Sequence, residues 1–512
     1  MATSGRPGVY VYESLPPLSA GSVGIPGEAV PCFVSAYNSG PLGPAVINSW
    51  PQFLQLFGGF GTDSVHPLLP YAVYEFFQNG GVSCYVVRVP NTDAVAASFP
   101  IAAIATETPV DVLTVTALTP GVSGNGLYVE VSAAGTGRFN FNVYAAGNQV
   151  TPVESYPSVS VNPADSRSLQ SMVTGVSSRV SVAVTLPTGG YSAGNTDPIV
   201  TAPTLLGTSP GTSGSDGSTG PTLATAVPLL LDELPNQILY VNLPGVYDNT
   251  TMTAIVNYAN ARGDVFVIVD GAQGTAPITG TSITAEYVAQ VTGGSSLPAV
   301  SCAAVYAPWV LVSDPASSVP GASRWLPPGS LVAGQFQATD ISRGTFKTPA
   351  GITNPVNIIQ TEVTLSNSQM DTLNNDAVNV IRNVPGAGYC IFGGRTLHPG
   401  YPDRSIGVRR KLMQTEHDVN WLTLFAAFEP NDAELWANIT TVLNSYLLQQ
   451  FQAGTLGGDT AANSYAVVCD ATNNNDNAAA AGIVTAAVMV RLVGHAEWIN
   501  ITVSQLTASA NS

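Results

Sequence analysis

The centre of the chain contains the run ILYVNLPGVYDNTTMTAIVNYANARGDVFVIVD, from Ile238 to Asp270. Its two ends are short apolar runs typical of buried strands, and the segment from Thr251 to Arg262 between them has the pattern of a helix. A further apolar run, CAAVYAPWVLV, begins at Cys302. This order of strand, helix and strand predicts an α/β domain.

The same alternation occurs near the start of the chain. Ala29 to Tyr37 is predicted to be a strand, Leu68 to Phe77 a helix and Cys84 to Val89 a buried strand. From Asn91 to Pro228 the sequence changes to Val-, Thr- and Ser-rich runs broken by Gly and Pro, which favours an all-β domain inserted into the α/β domain. We expect the end of this insertion, Gly207 to Gly220 (GTSPGTSGSDGSTG), to be a flexible low-complexity loop.

Two helices are predicted in the last third of the chain. The first follows Pro430, with Asn431 as its cap and Glu434 three residues later, as in a capping box, and Gly454 ends it. After the strand YAVVCD, the Ala-rich stretch from Ala478 to Val490 predicts the second helix. We therefore expect an α/β (α+β multidomain) fold with mixed sheets and helices, an inserted all-β domain and extended terminal arms.

These patterns divide the chain into five parts. Their predicted bounds are 1–27 for an N-terminal arm, 28–90 plus 229–350 for a discontinuous middle α/β domain, 91–228 for the inserted β-rich domain, 351–494 for a C-terminal domain and 495–512 for a C-terminal arm.

Each end of the chain contains a short strand with no hairpin partner beside it. PGVYVYE spans Pro7 to Glu13 and EWINITV spans Glu497 to Val503. An isolated strand does not persist in water, because its N–H and C=O groups gain nothing by being extended. Either a distant sheet of the same chain completes these strands, or the sheet of another subunit does so by strand addition. The predicted pairing residues are Val9, Tyr10, Val11, Tyr12, Glu13, Trp498, Ile499, Asn500, Ile501 and Val503.

The composition favours a protein whose surface is largely covered. Apolar residues make up 45% of the 512 residues and charged residues only 10%, well below the usual quarter or so. Extended homo-assembly explains this balance. The net charge of −17 gives direct nucleic-acid binding no electrostatic support. The start of the chain lacks the apolar region of a signal peptide and no apolar stretch is long enough to span a bilayer, so we expect synthesis in the cytoplasm and no membrane insertion.

Few residues have the spacing of a chemical site. The five cysteines lie far apart and the four histidines never fall at metal-ligand spacing, so we predict buried free thiols and no metal or other cofactor.

Gly207 to Gly211 matches the G-x-S-x-G nucleophile elbow around Ser209, but Pro210 stands where the helix of that motif should start. Asp270 lies at a strand end, where α/β enzymes place catalytic groups. Arg262-Gly263-Asp264 spells an adhesion tripeptide at an ordinary helix stop. We expect no enzyme; a serine hydrolase using Ser209 stays as an alternative.

Positive charge is concentrated in one segment of this acidic chain. The residues concerned are Arg395, Arg404, Arg409, Arg410 and Lys411, with Arg382 shortly before them. The segment is either an ordinary solvated face or a basic patch that docks acidic copies of the chain or another protein.

Several stretches, in order, resemble the sequence blocks of contractile tail sheath proteins. They are PGVYVYE near the start, FQNGGVSCYVVRV (Phe77 to Val89), VYAPWVLVSDP (Val305 to Pro315), PPGSLVAGQFQATDISRGTFKTPAG (Pro327 to Gly351) and FGGRTLHP (Phe392 to Pro399). Later blocks, GVRRKLMQTEHDV, FEPNDAELW, LLQQFQAGTLGG, YAVVCD and HAEWINITV, resemble the C-terminal domain of the same family. The resemblance covers most of the chain outside about 91–228.

The resemblance implies a structural role without an active site. Such sheaths, in myophage tails and contractile injection particles, are stacked hexameric rings around an inner tube, and they shorten from a metastable extended state to drive the tube through a target envelope. Subunits donate their terminal segments to neighbours, the C-terminal domain faces the tube, and inserted domains point outward. The implied partners are further copies, the tube protein, and baseplate and terminal cap proteins. The implied location is a particle assembled in the bacterial cytoplasm. A static shell or adhesin subunit is the alternative.

Overall fold

The structure is a computed structural model. It describes residues 29–60, 68–103, 111–145, 148–177, 179–187, 190–193, 197–199, 201–235, 237–273, 297–400, 402–474 and 482–494.

The described residues form strands and helices with the following bounds. The strands are β1 Val30–Ala36, β2 Ala45–Ile47, β3 Cys84–Val89, β4 Ser98–Ala102, β5 Asp111–Ala117, β6 Tyr128–Gly135, β7 Arg138–Tyr144, β8 Glu154–Val159, β9 Val180–Val184, β10 Thr201–Leu205, β11 Leu239–Asn242, β12 Val265–Asp270, β13 Ala303–Ala307, β14 Val310–Ser313, β15 Ser323–Leu326, β16 Gln360–Thr361, β17 Val378–Val384, β18 Gly388–Phe392, β19 Tyr465–Val468 and β20 Ala487–Val490. The helices are α1 Trp50–Phe57, α2 Leu68–Gln78, α3 Leu169–Val173, α4 Leu223–Asp232, α5 Asn249–Arg262, α6 Gly329–Arg343, α7 Asn367–Asn375, α8 Ile406–Thr423, α9 Ala433–Gln452 and α10 Ala461–Ser464.

The largest sheet has eight strands in the order β18-β17-β13-β12-β11-β1-β3-β2. The six inner strands, from β17 to β3, are parallel to one another, and β18 and β2 are added antiparallel at the two edges. Parallel strands are joined by crossover helices and need both faces covered. This arrangement confirms the predicted α/β fold.

Alternate residues of the inner strands enter two separate cores, one on each face of this sheet. On β11, Tyr240 belongs to the core that contains Phe336 of α6. Its neighbours Leu239 and Val241 belong to the opposite core, with residues of α4 and α5. Because both faces are covered, the strands are apolar throughout, as in the run VFVIVD.

Local signals fix helix α5. The side chain of Asp248 accepts a hydrogen bond from the backbone N–H of Thr251, and Gly263 ends the helix with φ 86°, in the left-handed region that glycine adopts readily. The predicted helix is thus confirmed and begins two residues earlier. Arg262 pairs with Asp264 at 2.7 Å, so the adhesion-like tripeptide forms the end of a helix.

The eight-stranded sheet extends beyond the domain boundary predicted at residue 350. Strands β17 and β18 complete the eight-stranded sheet, because β17 pairs with β13 and β18 with β17; residues 378–392 therefore belong with the middle domain. Helix α8 then leaves this domain: its Ile406 and Met413 lie in a core of the large sheet, whereas Val419 and Leu422 pack near α9.

Strands β4 to β10 pair only with one another in the described part of the chain. They form a three-stranded sheet, β4-β5-β9, and a four-stranded sheet, β10-β6-β7-β8, which share one core. The insertion ends before helix α4, since Val227 and Leu231 of that helix lie in a core of the large sheet. The boundary predicted at 228 therefore falls inside a helix.

The loop predicted to be flexible is instead fixed by hydrogen bonds. Asp93 accepts the backbone N–H groups of Ser218 and Thr219 at 2.8–3.0 Å, and the side chain of Asn125 accepts that of Gly214 at 2.7 Å. Polar side chains outside the loop thus accept hydrogen bonds from its backbone N–H groups. The composition of the loop alone cannot predict partners so distant in the sequence.

Two predictions about the C-terminal domain are wrong in detail. Asp432, and not Asn431, caps α9, because its side chain accepts the N–H of Leu435. Ala487 to Val490, predicted as part of a helix, forms β20 antiparallel to β19. Alternating Val residues and an available partner strand outweigh the helix propensity of the preceding alanines, of which 478–481 lie outside the described residues.

Candidate assembly site

Both predicted arms lie outside the described residues, which begin at Ala29 and end at Gly494. Their pairing therefore stays a prediction. It concerns Val9, Tyr10, Val11, Tyr12 and Glu13 at one end and Trp498, Ile499, Asn500, Ile501 and Val503 at the other.

Strands β19 and β20 form a sheet that has room for further strands. Tyr465 lies opposite Val490 and Val468 opposite Ala487, and within the described residues no third strand joins the pair. Among the described residues each strand therefore pairs along one edge only. A two-stranded sheet has marginal stability, and an open edge of N–H and C=O groups is a template for a strand from elsewhere.

Helix α9 supports one face of this small sheet. Tyr446 and Leu447 of the helix share a core with Tyr465 of β19, and Leu435, Ile439 and Leu443 share a second core with Cys469 just after it. The hydroxyl of Tyr446 donates to the carboxylate of Asp418 on α8 at 2.8 Å. The sheet thus packs on α9, which is in turn bonded to α8.

Most of the predicted basic patch is buried, so the patch is corrected. The exposed fractions of Arg395, Arg409, Arg410 and Lys411 are 3%, 5%, 1% and 2%. Only Arg404 is partly exposed. The lack of nearby acidic residues in the sequence suggested an accessible surface, but carboxylates and carbonyls distant in sequence surround these cations: Arg395 donates to the carbonyl of Asn374 at 2.6 Å.

Arg410 joins α8 to the large sheet. Its guanidinium forms an ion pair with Asp340 of α6 and donates to the hydroxyl of Tyr240 on β11 at 3.0 Å. That hydroxyl in turn donates to Asp340 at 2.7 Å. The guanidinium also lies 4.5 Å from the ring centre of Phe336, a cation–π distance. Sequence reasoning found this residue by its charge but assigned it a surface role.

Lys411 lies in the wall of a cleft between α6, α8 and α9. Its ammonium donates to the side-chain oxygens of Gln414 at 3.0 Å and Gln450 at 2.6 Å. Burial lowers the pKa of Lys411 to about 8. The cleft has a volume of ≈ 230 Å³, and Ile341 and Phe346 are also among its lining residues.

Asp270 is the carboxylate predicted at a strand end, and it holds backbone in place. It accepts the N–H groups of Gly329 at 2.6 Å and Gly245 at 3.0 Å, and the side-chain amide of Asn242 at 3.2 Å. Burial raises its pKa to about 6. The residue fixes the first turn of α6, and its neighbours are hydrogen-bond donors typical of a structural carboxylate.

Ser209 lies in an exposed turn after β10, and the next helix in the described chain begins at Leu223. The strand–turn–helix context of a nucleophile elbow is therefore not present at this serine.

An exposed apolar patch lies at the end of α8 and in the turn after it, and it was not predicted from the sequence. Trp421, Leu424, Phe425 and Phe428 are 58%, 47%, 44% and 89% exposed. Apolar residues that continue past a helix end without a matching helical face were the available signal.

Two other kinds of feature are absent from the described residues. No helix there has the length and apolarity needed to cross a membrane, and no group of three or more His, Cys, Asp or Glu side chains there is arranged to hold a metal ion. All five cysteines are buried free thiols, as predicted.

Comparisons with known proteins identify sheath proteins as similar. No family model matches the chain. The tail sheath protein of Enterobacteria phage T4 is 32% identical over 156 residues, which are 30% of this chain and 23% of that protein. The match thus spans about a quarter of the curated relative.

Solved structures match over nearly the whole chain. A chain of the anti-feeding prophage baseplate has 22% identity and a TM-score of 0.58, covering 99% of this chain and 100% of that one. The PVC sheath complex in its contracted state has 20% identity and a TM-score of 0.57, covering 99% of both. The sheath tail protein of Listeria innocua has 14% identity and a TM-score of 0.59, covering 92% and 97%. The chain therefore has the fold of contractile tail sheath proteins.

Proposed function

We propose that the protein is the sheath subunit of a contractile particle, either a phage tail or a phage-tail-like injection system. It polymerises as stacked hexameric rings around an inner tube and contracts from an extended metastable state to drive that tube through a target cell envelope. Its partners are further copies, the tube protein, and baseplate and terminal cap proteins. The particle is assembled in the bacterial cytoplasm.

The observation that carries this proposal is the match to the PVC sheath chain, which extends over 99% of both chains. This extent takes in the large sheet, the inserted β domain and the small β19–β20 sheet, so the similarity is not limited to one common domain. The T4 tail sheath relative adds sequence similarity. The role is structural, and the free energy of contraction comes from better burial between subunits in the shorter state.

We place the binding of the terminal strands at the edges of β19 and β20 that pair with no other strand in the described residues. In the assembled particle, Pro7 to Glu13 and Glu497 to Val503 of neighbouring copies add to this sheet through main-chain hydrogen bonds. Such links hold while the rest of each subunit rotates, because strand pairing depends on the sheet edge and not on the other contacts between subunits.

Electron microscopy of the protein expressed with its tube protein tests the proposal. We expect striated tubes in a long and a short form. Protein that stays monomeric beside its tube contradicts the proposal, and tubes with a single unchanging length indicate a static shell.

Truncation tests the arms. Deleting residues 1–14, or ending the chain at Gly494, should abolish polymerisation and leave a folded body by circular dichroism. The matched controls delete 1–5 or 507–512, which leave the predicted strands whole and should assemble normally. If the longer truncations assemble as the controls do, the strand-donation mechanism is wrong.

A further inference from the structure

Phe428 projects from the turn between α8 and α9. Its side chain is 89% exposed, and its φ of 71° lies in the left-handed region that bulky residues rarely adopt. Glu429 follows it and is exposed too. The turn thus presents an aromatic ring and a carboxylate side by side, away from the cores of its own chain.

The cleft beside Lys411 has complementary chemistry. Ile341 at its edge is 58% exposed and Phe346 is half-buried, so the lining includes apolar surface. Arg343 is exposed at the end of α6, and it and Lys347 flank the lining residues 344–346 in the sequence. The ammonium of Lys347 donates to the carbonyls of Thr348 at 2.7 Å and Ala350 at 3.2 Å. The one carboxylate of the lining, Asp340, is already paired with Arg410.

The two features lie toward opposite ends of α8, so one chain cannot bring them together. Lys411 is the sixth residue of the helix Ile406–Thr423, and the helix rises about 1.5 Å per residue. The end of the helix is therefore about 18 Å beyond Lys411, and Phe428 follows that end. A contact between the turn and the cleft has to join two copies.

We propose that the Phe428–Glu429 turn of one copy inserts into the cleft of a second copy, with the ring against Ile341 and Phe346 and the carboxylate against Arg343 and Lys347. Such a head-to-tail contact uses different surfaces on the two partners, and contacts of this kind generate rings or helices. A chain of net charge −17 supplies few basic surfaces, so the two cations beside the cleft, Arg343 and Lys347, favour an acidic segment there. The inference rests on the proposed function, because it concerns copies within an assembly.

A pair of cysteines tests the contact in the full chain. We expect Ile341→Cys with Phe428→Cys to give a ladder of covalent multimers on mild oxidation of assembled particles, read on a non-reducing gel. The native cysteines are buried and should not interfere. The control pair joins Phe428→Cys with Val150→Cys, since Val150 is 90% exposed but lies in the inserted domain. A ladder no longer than that of the control overturns the inference.

Charge reversal gives a second, independent measurement. Glu429→Lys and Arg343→Glu should each raise the concentration needed for assembly about tenfold, which corresponds to about 1.4 kcal/mol, and the double variant should return it to within about threefold of the wild type. Arg179→Glu is the matched control on an exposed arginine of the inserted domain. Singles that behave like this control, or a double variant without recovery, overturn the contact. A wild-type protein that never assembles refutes the proposed function instead.

Discussion

Replacing Asp340 with alanine tests the buried ion pair that holds α8 on the large sheet. The side chain of Arg410 is 0% exposed and that of Asp340 is 11% exposed, so the variant leaves a guanidinium inside the protein without its carboxylate. Removing one partner of a buried pair costs about 3–5 kcal/mol, and the partial exposure of Asp340 favours the lower end. We expect the free energy of unfolding to fall by about 3 kcal/mol.

Two further variants separate charge from packing. Asp232→Ala is the control, because the Asp232 side chain is 63% exposed and lies 4.0 Å from Arg262; its loss should cost at most about 1 kcal/mol. Asp340→Leu combined with Arg410→Met removes both charges and keeps apolar volume, so it should recover most of the stability that Asp340→Leu alone loses.

Urea unfolding followed by circular dichroism measures these differences, and amide hydrogen exchange of residues 406–423 shows whether α8 is the segment that loosens. The reasoning is refuted if Asp340→Ala is no more destabilising than Asp232→Ala, or if the double replacement is as unstable as Asp340→Leu.

Two other predictions concern buried ionisable groups. Asp270→Ala should lower stability by about 2–4 kcal/mol, because it removes the acceptor of two backbone N–H groups. The folded pKa of Asp270, about 6, is above its ordinary 3.8, so the folded state holds the proton more tightly and the stability of the wild type relative to this variant should fall as pH rises from about 4 to 6; equal pH profiles in urea titrations would contradict this. The pKa of Lys411 is instead lowered from 10.5 to about 8, so the wild type should gain stability relative to Lys411→Met as pH rises from about 8 to 10.5. Thermal melts across this range check it, and a difference that does not change with pH would refute it.

The sequence predicts the middle α/β domain well, because the signals for its strands and helices are local. The apolar runs at Ile238 and Val265 and the stop at Gly263 each lie within a few residues of the structure they determine. Short strands surrounded by helices must also be apolar on both faces, and that pattern is distinctive.

What the sequence did not predict depends on contacts between distant segments. Ala487 to Val490 becomes a strand because Tyr465 to Val468 lies beside it. The cluster around Arg410 looks like a surface patch in sequence, because Asp340 is 70 residues away. The cleft at Lys411 follows from the same long-range packing and has no local sequence signature, whereas the apolar run that ends at Phe428 had a local signal that was not used.

Helix α8 has a consequence for how movement would pass through the proposed assembly. Its first turns are fixed in the core of the large sheet, and its last turns support α9 and the small sheet. Eighteen residues give a rod about 27 Å long. When a rod of that length tilts about its near end, its far end moves the most. When the domain of the large sheet turns in the proposed assembly, the small β19–β20 sheet at the far end of α8 would therefore move farther than the first turns of the helix.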